Sequence, residues 1–257
     1  MSQRALSVRS AVPLRVLAVG VVGGLLAAPA SADISEIVFR ITATSATGND
    51  TWVARLRDGE FNSDGSWSWN LTAPVELRAE DGTLLGTLTQ AGTTLIEDPQ
   101  ITLGFFVQAG AVPANFIIQS AQLSFDPMTN PDARIGGSVT VTDGGLDGAT
   151  LTGNQAGGMF LLGQYNGMVP GGTTFATVIQ GPVVAGAGLS ESASENLPPG
   201  VGFMPIPGTV SDMSLQWSFT LSANDVASGT GTFIIIPGPA GVGVLGLAGL
   251  AVLRRRR

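Results

Sequence analysis

Met213-Ser214-Leu215-Gln216-Trp217-Ser218-Phe219-Thr220-Leu221 alternates strictly between large apolar and polar side chains. A period of two belongs to a β-strand, whose successive side chains point to opposite faces, and not to a helix with its period of 3.6. The spacing predicts one face against a core and one face in water. The same period returns in Ile37, Phe39, Ile41 and Ala43, and again in Trp67, Trp69 and Leu71. Asp81-Gly82, set between residues 75–80 and 83–89, is a strong signal for a two-residue hairpin. Further strands fit 101–108, 116–125, 135–142, 159–165 and 175–179. Residues 228–232 read as a strand running into 233–236. Residues 181–208 are rich in Gly, Pro, Ser and Ala and read as a long excursion or mobile loop. No stretch of 33–232 carries a long amphipathic helical pattern. The expected fold is all-β: a single antiparallel β-sandwich domain, jelly-roll-like, with Gly and Pro marking its turns.

The two flanking segments follow different rules. Arg4, Arg9 and Arg15 precede or open an apolar run over 16–28, and Ala30-Ser31-Ala32 is a small-x-small cleavage site. This is the pattern of a secretory signal peptide, with a short apolar helix and a mature chain starting at Asp33. At the other end, Pro237-Gly238-Pro239 precedes fourteen uncharged residues, 240–253, and then Arg254, Arg255, Arg256 and Arg257. A helix of that span rises roughly 21 Å against a hydrocarbon core of about 30 Å, so it makes a marginal transmembrane helix. The arginines hold the cytoplasmic side. The chain therefore divides into a signal peptide (1–32), an acidic β-sandwich domain (33–232) and a tail (233–257).

The tail resembles the PEP-CTERM sorting signal of Gram-negative bacteria, in which Pro-Glu-Pro precedes a short transmembrane helix and a basic end. Pro237 and Pro239 match the two prolines, and Gly238 stands where that family has glutamate. The resemblance implies an exosortase-type peptidase as partner, insertion into the inner membrane during export, and a destination at the cell surface or extracellular matrix. Residues 116–143 and 213–229 are similar to uncharacterised PEP-CTERM proteins of planctomycete-like bacteria. That similarity implies one exported β domain and brings no activity with it.

Composition narrows the chemistry. All nineteen Asp and Glu lie in 33–232, against five arginines there, a net of −14. Such a domain repels nucleic acid, so none is expected as a partner. The chain has no cysteine, no histidine and no lysine. Disulfides, Cys- or His-based metal sites, the Ser-His-Asp arrangement and Schiff-base chemistry are therefore unavailable. Carboxylates, arginines, hydroxyls and Tyr165 remain.

Three constellations are candidates. Asp126 and Asp132 flank a proline-rich turn with Asn130, and Asp143 and Asp147 lie in Asp-Gly-Gly-Leu-Asp-Gly; clustered loop oxygens suit calcium, the one cofactor in view. The same residues are also what tight turns need. Glu76, Glu80, Glu97 and Asp98 supply carboxylates for a glycosidase-type pair, which requires a separation of about 5–10 Å. Trp52, Trp67 and Trp69 are candidates to line a sugar-binding face, and Trp67 and Trp69 share a strand face; exposed they would stack on sugars, buried they are core. Trp217 reads as core. The leading expectation is an exported, non-enzymatic cell-surface or extracellular-matrix protein in contact with exopolysaccharide. The alternatives are a carbohydrate- or calcium-binding module and a secreted carboxylate-based hydrolase.

Overall fold

A computed structural model describes residues 33–168 and 171–238. The signal-peptide residues, including Ala30 and Ala32, and Pro239, the span 240–253 and Arg254–Arg257 lie outside the described residues. Among the described residues no helix is long and apolar enough to cross a membrane.

The strands follow in chain order. The first are β1 (Asp33–Ile34), β2 (Ile37–Ser45), β3 (Gly48–Arg55), β4 (Glu60–Phe61), β5 (Trp67–Asn70) and β6 (Val75–Arg78). Next come β7 (Leu84–Ile96), β8 (Gln100–Ala109), β9 (Ala114–Ser120), β10 (Leu123–Thr129), β11 (Asp132–Thr142) and β12 (Ala149–Gly153). The last are β13 (Met159–Tyr165), β14 (Thr173–Gln180), β15 (Val183–Ala185), β16 (Ser190–Leu197), β17 (Met204–Pro205), β18 (Thr209–Leu221) and β19 (Val226–Ile236). All pairings are antiparallel, and they build two sheets of ten and nine strands. The chain is a β-sandwich, as the period of two predicts.

β18 is the axis of the first sheet. β9 and β10 run end to end along one edge of it, and β12 and β13 along the other. β2 and β3 continue beyond β9, and β14 and β15 beyond β13 and β12. In the second sheet the order is β16, β11, β19, β8, β7, β5, with β17 beside β11 and β6 beside β7. A hairpin forms at Asp81-Gly82, with a three-residue loop in place of the two-residue one expected: the Ala79 N–H donates to the Thr83 carbonyl at 2.9 Å, the Gly82 N–H donates to the Ala79 carbonyl at 2.9 Å, and Gly82 takes φ +87.

Met213, Leu215, Trp217, Phe219 and Leu221 are fully buried between the sheets. Phe105 of β8 meets Trp217 edge-on at 5.5 Å and stacks on Phe219 at 5.2 Å. β19 turns small residues toward these rings. A Cβ added at Gly231 would sit 2.9 Å from Leu161 Cδ2 and 3.2 Å from Trp217 Cζ2; one at Gly229 would sit 2.8 Å from Phe105 Cε1. The aromatics occupy the room that those two side chains would take.

Three further expectations are revised. Ser214, Gln216 and Ser218 are buried too, so the polar face of β18 is not wet. β18 lies at the sheet centre, where Gln119 donates to Gln216 at 3.0 Å and Gln164 and Leu162 flank its short hydroxyls. Residues 181–208 are not a structureless loop: β16 pairs with β11 over eight residues. Its Ser and Glu side chains are mostly exposed because it is an edge strand, so it shows no apolar alternation. Finally, Phe233 and Ile235 are core, and the division at 233 cuts through β19, which ends at Ile236.

The indole Nε1 of Trp217 reaches no acceptor among the described residues, so this side chain contributes packing alone. Trp217→Ala is expected to cost about 3–5 kcal/mol, and Trp217→Phe distinctly less, because the ring contact survives and no hydrogen bond is lost. Urea unfolding of the two variants checks this; equal losses would contradict it.

Candidate functional site

Trp67 and Trp69 are 1% and 6% exposed. Trp69 packs on Phe39 at 5.2 Å and on half-buried Trp52 at 5.8 Å. They close the core where β5 covers it, and the exposed aromatic platform does not exist. The reason is register: Trp67 and Trp69 pair with Leu95 and Thr93 of β7, both of which turn inward.

The four carboxylates proposed for a pair fall into two remote groups, Glu76 with Glu80 on β6 and the turn after it, and Glu97 with Asp98 in the turn after β7. Glu76 lies on β6 opposite Thr87 and is held by Arg78 at 2.7 Å. Glu97 and Asp98 form the turn after β7, ten residues further along that strand. At about 3.3 Å per residue this is a separation of roughly 30 Å, beyond any two-carboxylate mechanism.

Of the four aspartates, Asp143 and Asp147 come together and Asp126 and Asp132 do not join them. Asp126 is exposed on β10 and Asp132 opens β11, in different sheets. The third member is Asp225, wholly buried at the turn before β19; Asp143, Asp147 and Asp225 each bring a carboxylate oxygen within 4.8 Å of the others. Backbone donors already hold two of them. Asp143 accepts from Gly188 N at 2.6 Å and from Gly145 N and Leu146 N at 3.0 Å. Asp225 accepts from Gly144 N at 3.1 Å and from the Ser222 hydroxyl. The Gly188 amide first, then those of Gly148, Gly145 and Asp147, hold the Asp143 carboxyl below its usual range, against a smaller opposing effect of burial. The group ties together three turns, after β11, before β16 and before β19.

A different surface has the form of a ligand site. The outer face of the second sheet carries aligned rows across its strands. One row runs Asn70, Gly92, Gly104, Thr230, Ser138 and Ser194. The next runs Ser68, Thr94, Thr102, Thr232, Gly136 and Asn196. The outward glycines lower the floor, and a groove of about 570 Å³ opens above Gly92 and Gly104. A Cβ at Gly104 would meet nothing nearer than Thr230 Oγ1 at 3.6 Å, so the floor there is open. At its β5 end Asn70 Oδ1 stands 2.7 Å from a Cβ position at Gly92; beyond its other end, in a separate depression lined by Arg134, the Asn196 amide covers Gly136. Phe106, 36% exposed, stands in the groove between Gln90 and Ser228. No charged residue lines this groove; Arg134 lies beyond it, donating to Asn196 at 3.4 Å. Sequence reading missed the groove because its rows pair residues as far as 130 positions apart, as Thr102 with Thr232.

No known protein family matches the chain, and no curated protein does. Among solved structures, a structure of infectious bursal disease virus, Gt strain, is 11% identical, with 82% of this chain covered and a TM-score of 0.13. A mutant VP2 protein of the same virus in T=1 particles is 10% identical, with 82% covered and a TM-score of 0.13. The chain spans 64% and 65% of those two chains. Likeness at this level carries no argument about fold or function.

Asp143 gives a prediction in pH. Its folded-state pKa is depressed, so its contribution is fully present above the unfolded value, about 3.9, and is lost as pH falls through the folded value. Asp143→Asn is expected to lower the melting temperature near neutral pH, with the gap to the parent narrowing as pH falls below the unfolded value. Melting curves across that range check it; a gap of constant size would show that the carboxylate charge is not what the turns use.

Proposed function

We propose that this is an exported, non-enzymatic protein of the cell surface or extracellular matrix, placed there by its PEP-CTERM-like tail and acting through surface contact, with exopolysaccharide as the contact. The observation that carries the reading is the division of the chain. An acidic β-sandwich stands between a signal-peptide pattern and a proline-marked apolar tail ending in four arginines. The absence of His, Cys and Lys from the sequence leaves few groups for acid–base or nucleophilic work at neutral pH. The dispersal of Glu76 and Glu80 from Glu97 and Asp98 favours the same side, against a secreted hydrolase. Before processing the tail holds the protein in the inner membrane, and an exosortase-type peptidase is the partner that removes it.

Gly238 fits this arrangement. It is buried, and a Cβ there would collide with the Asn130 carbonyl oxygen. Glycine in place of the family's glutamate therefore has a local reason: the chain leaves the domain pressed against the β10–β11 turn.

Mass spectrometry of the protein from its native host tests the reading. The expected species starts at Asp33 and lacks Arg254–Arg257. A mature protein that retains Arg257 would overturn tail processing.

A second reading is calcium binding where Asp143, Asp147 and Asp225 meet. It is favoured by the convergence of three carboxylates within 4.8 Å, one of them fully buried. Calcium at about a hundred times its dissociation constant would stabilise the fold by about 2.7 kcal/mol. Identical melting in calcium and in EDTA would remove this reading.

A further inference from the structure

We propose that the groove across the outer face of the second sheet binds a neutral polysaccharide, lying across the strands from Asn70 to Ser138. The inference deepens the surface-contact reading and rests on it for biological meaning, while naming the site and the class of ligand.

The first argument is charge. The domain carries nineteen acids, yet no carboxylate lines the groove. A polyanionic chain entering it would meet the field of the surrounding acids with no cation in the groove to offset it. A cationic partner would find no carboxylate to pair with. An uncharged ligand suffers neither penalty.

The second argument is the chemistry of the lining. Thr94, Thr102, Ser138 and Thr230 present hydroxyls, each both donor and acceptor; Asn70 and Gln90 present amides that also do both. A sugar ring displays the same pairing of donor and acceptor around its rim. Phe106 adds one half-exposed ring among these polar groups, a surface for the apolar face of a pyranose. A protein partner would be poorly matched, because the core of a protein interface is apolar and rich in aromatic anchors, and here a single ring stands in a polar bed.

The third argument is shape. The floor is open at Gly104, which faces outward beside Gly92 in the adjacent strand, while Asn70 covers Gly92 at the β5 end. From β5 to β11 the groove crosses four strand intervals, roughly 19 Å at about 4.8 Å each. That spacing is close to the repeat of an extended β-linked glycan, so successive rings can meet successive strands along one row. The groove runs across five strands, which suits an internal stretch of polymer better than a small molecule.

The test is affinity electrophoresis of the full chain, in mild detergent, through gels containing hydroxyethyl cellulose, dextran or alginate. Retardation by at least one neutral polymer and none by alginate is expected. Gly104→Trp fills the floor from the solvent side and is expected to weaken retention at least tenfold with the melting temperature unchanged. Should that variant unfold, Phe106→Ala and Thr230→Ala are read instead, with Thr44→Ala on the other sheet as the silent control. No retardation by either neutral polymer would overturn the proposal. So would equal retardation by alginate, retention indifferent to the groove variants, or a dimer that Gly104→Trp abolishes without any glycan retention. None of these outcomes bears on tail processing, which is measured in the host, so the two readings fail separately.

Discussion

The contact between the β18 aromatics and the glycines of β19 sets the rest of the molecule. Trp217 and Phe219 reach across to Phe105, and this needs the backbone of β19 to present no side chain beneath them. Gly229 and Gly231 satisfy that need. Because a strand alternates, the residues between and beside them, Ser228, Thr230 and Thr232, must then face outward. One strand thus fixes how closely the sheets pack and also lays a line of hydroxyls down the middle of the outer face. The core and the groove are two sides of the same alternation, and a slip of one residue in β19 would destroy both.

The acidity of the domain acquires a structural meaning. Asp64 receives the Ser66 N–H and hydroxyl, Asp81 the Thr83 N–H, Asp50 the Arg78 N–H, and Asp212 the Gly167 N–H. Glu195 receives the Ile179 N–H at 2.6 Å, where Ile179 takes φ +68. These are backbone donors at turns and strand ends that ladder pairing leaves without partners. In a chain without disulfides, short acceptors at the turns hold loops that covalent links would otherwise restrain. The Asp143 and Asp225 group is the largest case, since it joins three turns remote in sequence.

Strand alternation made most of the fold readable. The quoted segment, the Ile37 and Trp67 strands and the Asp81-Gly82 hairpin all announce themselves locally, since each depends on neighbours two residues apart. β16 did not, because its inward side carries Glu191 and Glu195 beside Ala193 and Leu197, too few apolar residues to show an alternation. The burial of Ser214, Gln216 and Ser218 was also hidden: it comes from β9 and β13 lying on either side, and not from anything within β18. The candidate sites were the least legible. Asp143 and Asp147 lie four residues apart and were visible, but Asp225 joins them from another turn. The tryptophans were visible and point inward by register. The groove is made of Ser, Thr, Asn and Gly, which carry no signal until four pairings align them.

The point where the chain leaves the domain links local packing to placement. Asn130 takes φ +48, donates its N–H to the Gly208 carbonyl at 2.7 Å, and accepts the Gly208 N–H on its side chain at 2.9 Å. Pro131 follows it, and its carbonyl takes the Ile206 N–H at 2.7 Å. This turn is therefore held from two directions and has little room to move. Gly238 lies directly against it, two residues after β19 ends. Any side chain at that position would have to displace the Asn130 carbonyl and, with it, the contacts to Gly208 and Ile206. The junction is thus part of the fold up to Gly238, and no free linker separates the last strand from the proline motif. On the sorting reading, the residue that departs from the family's motif is the one whose side chain the domain itself excludes.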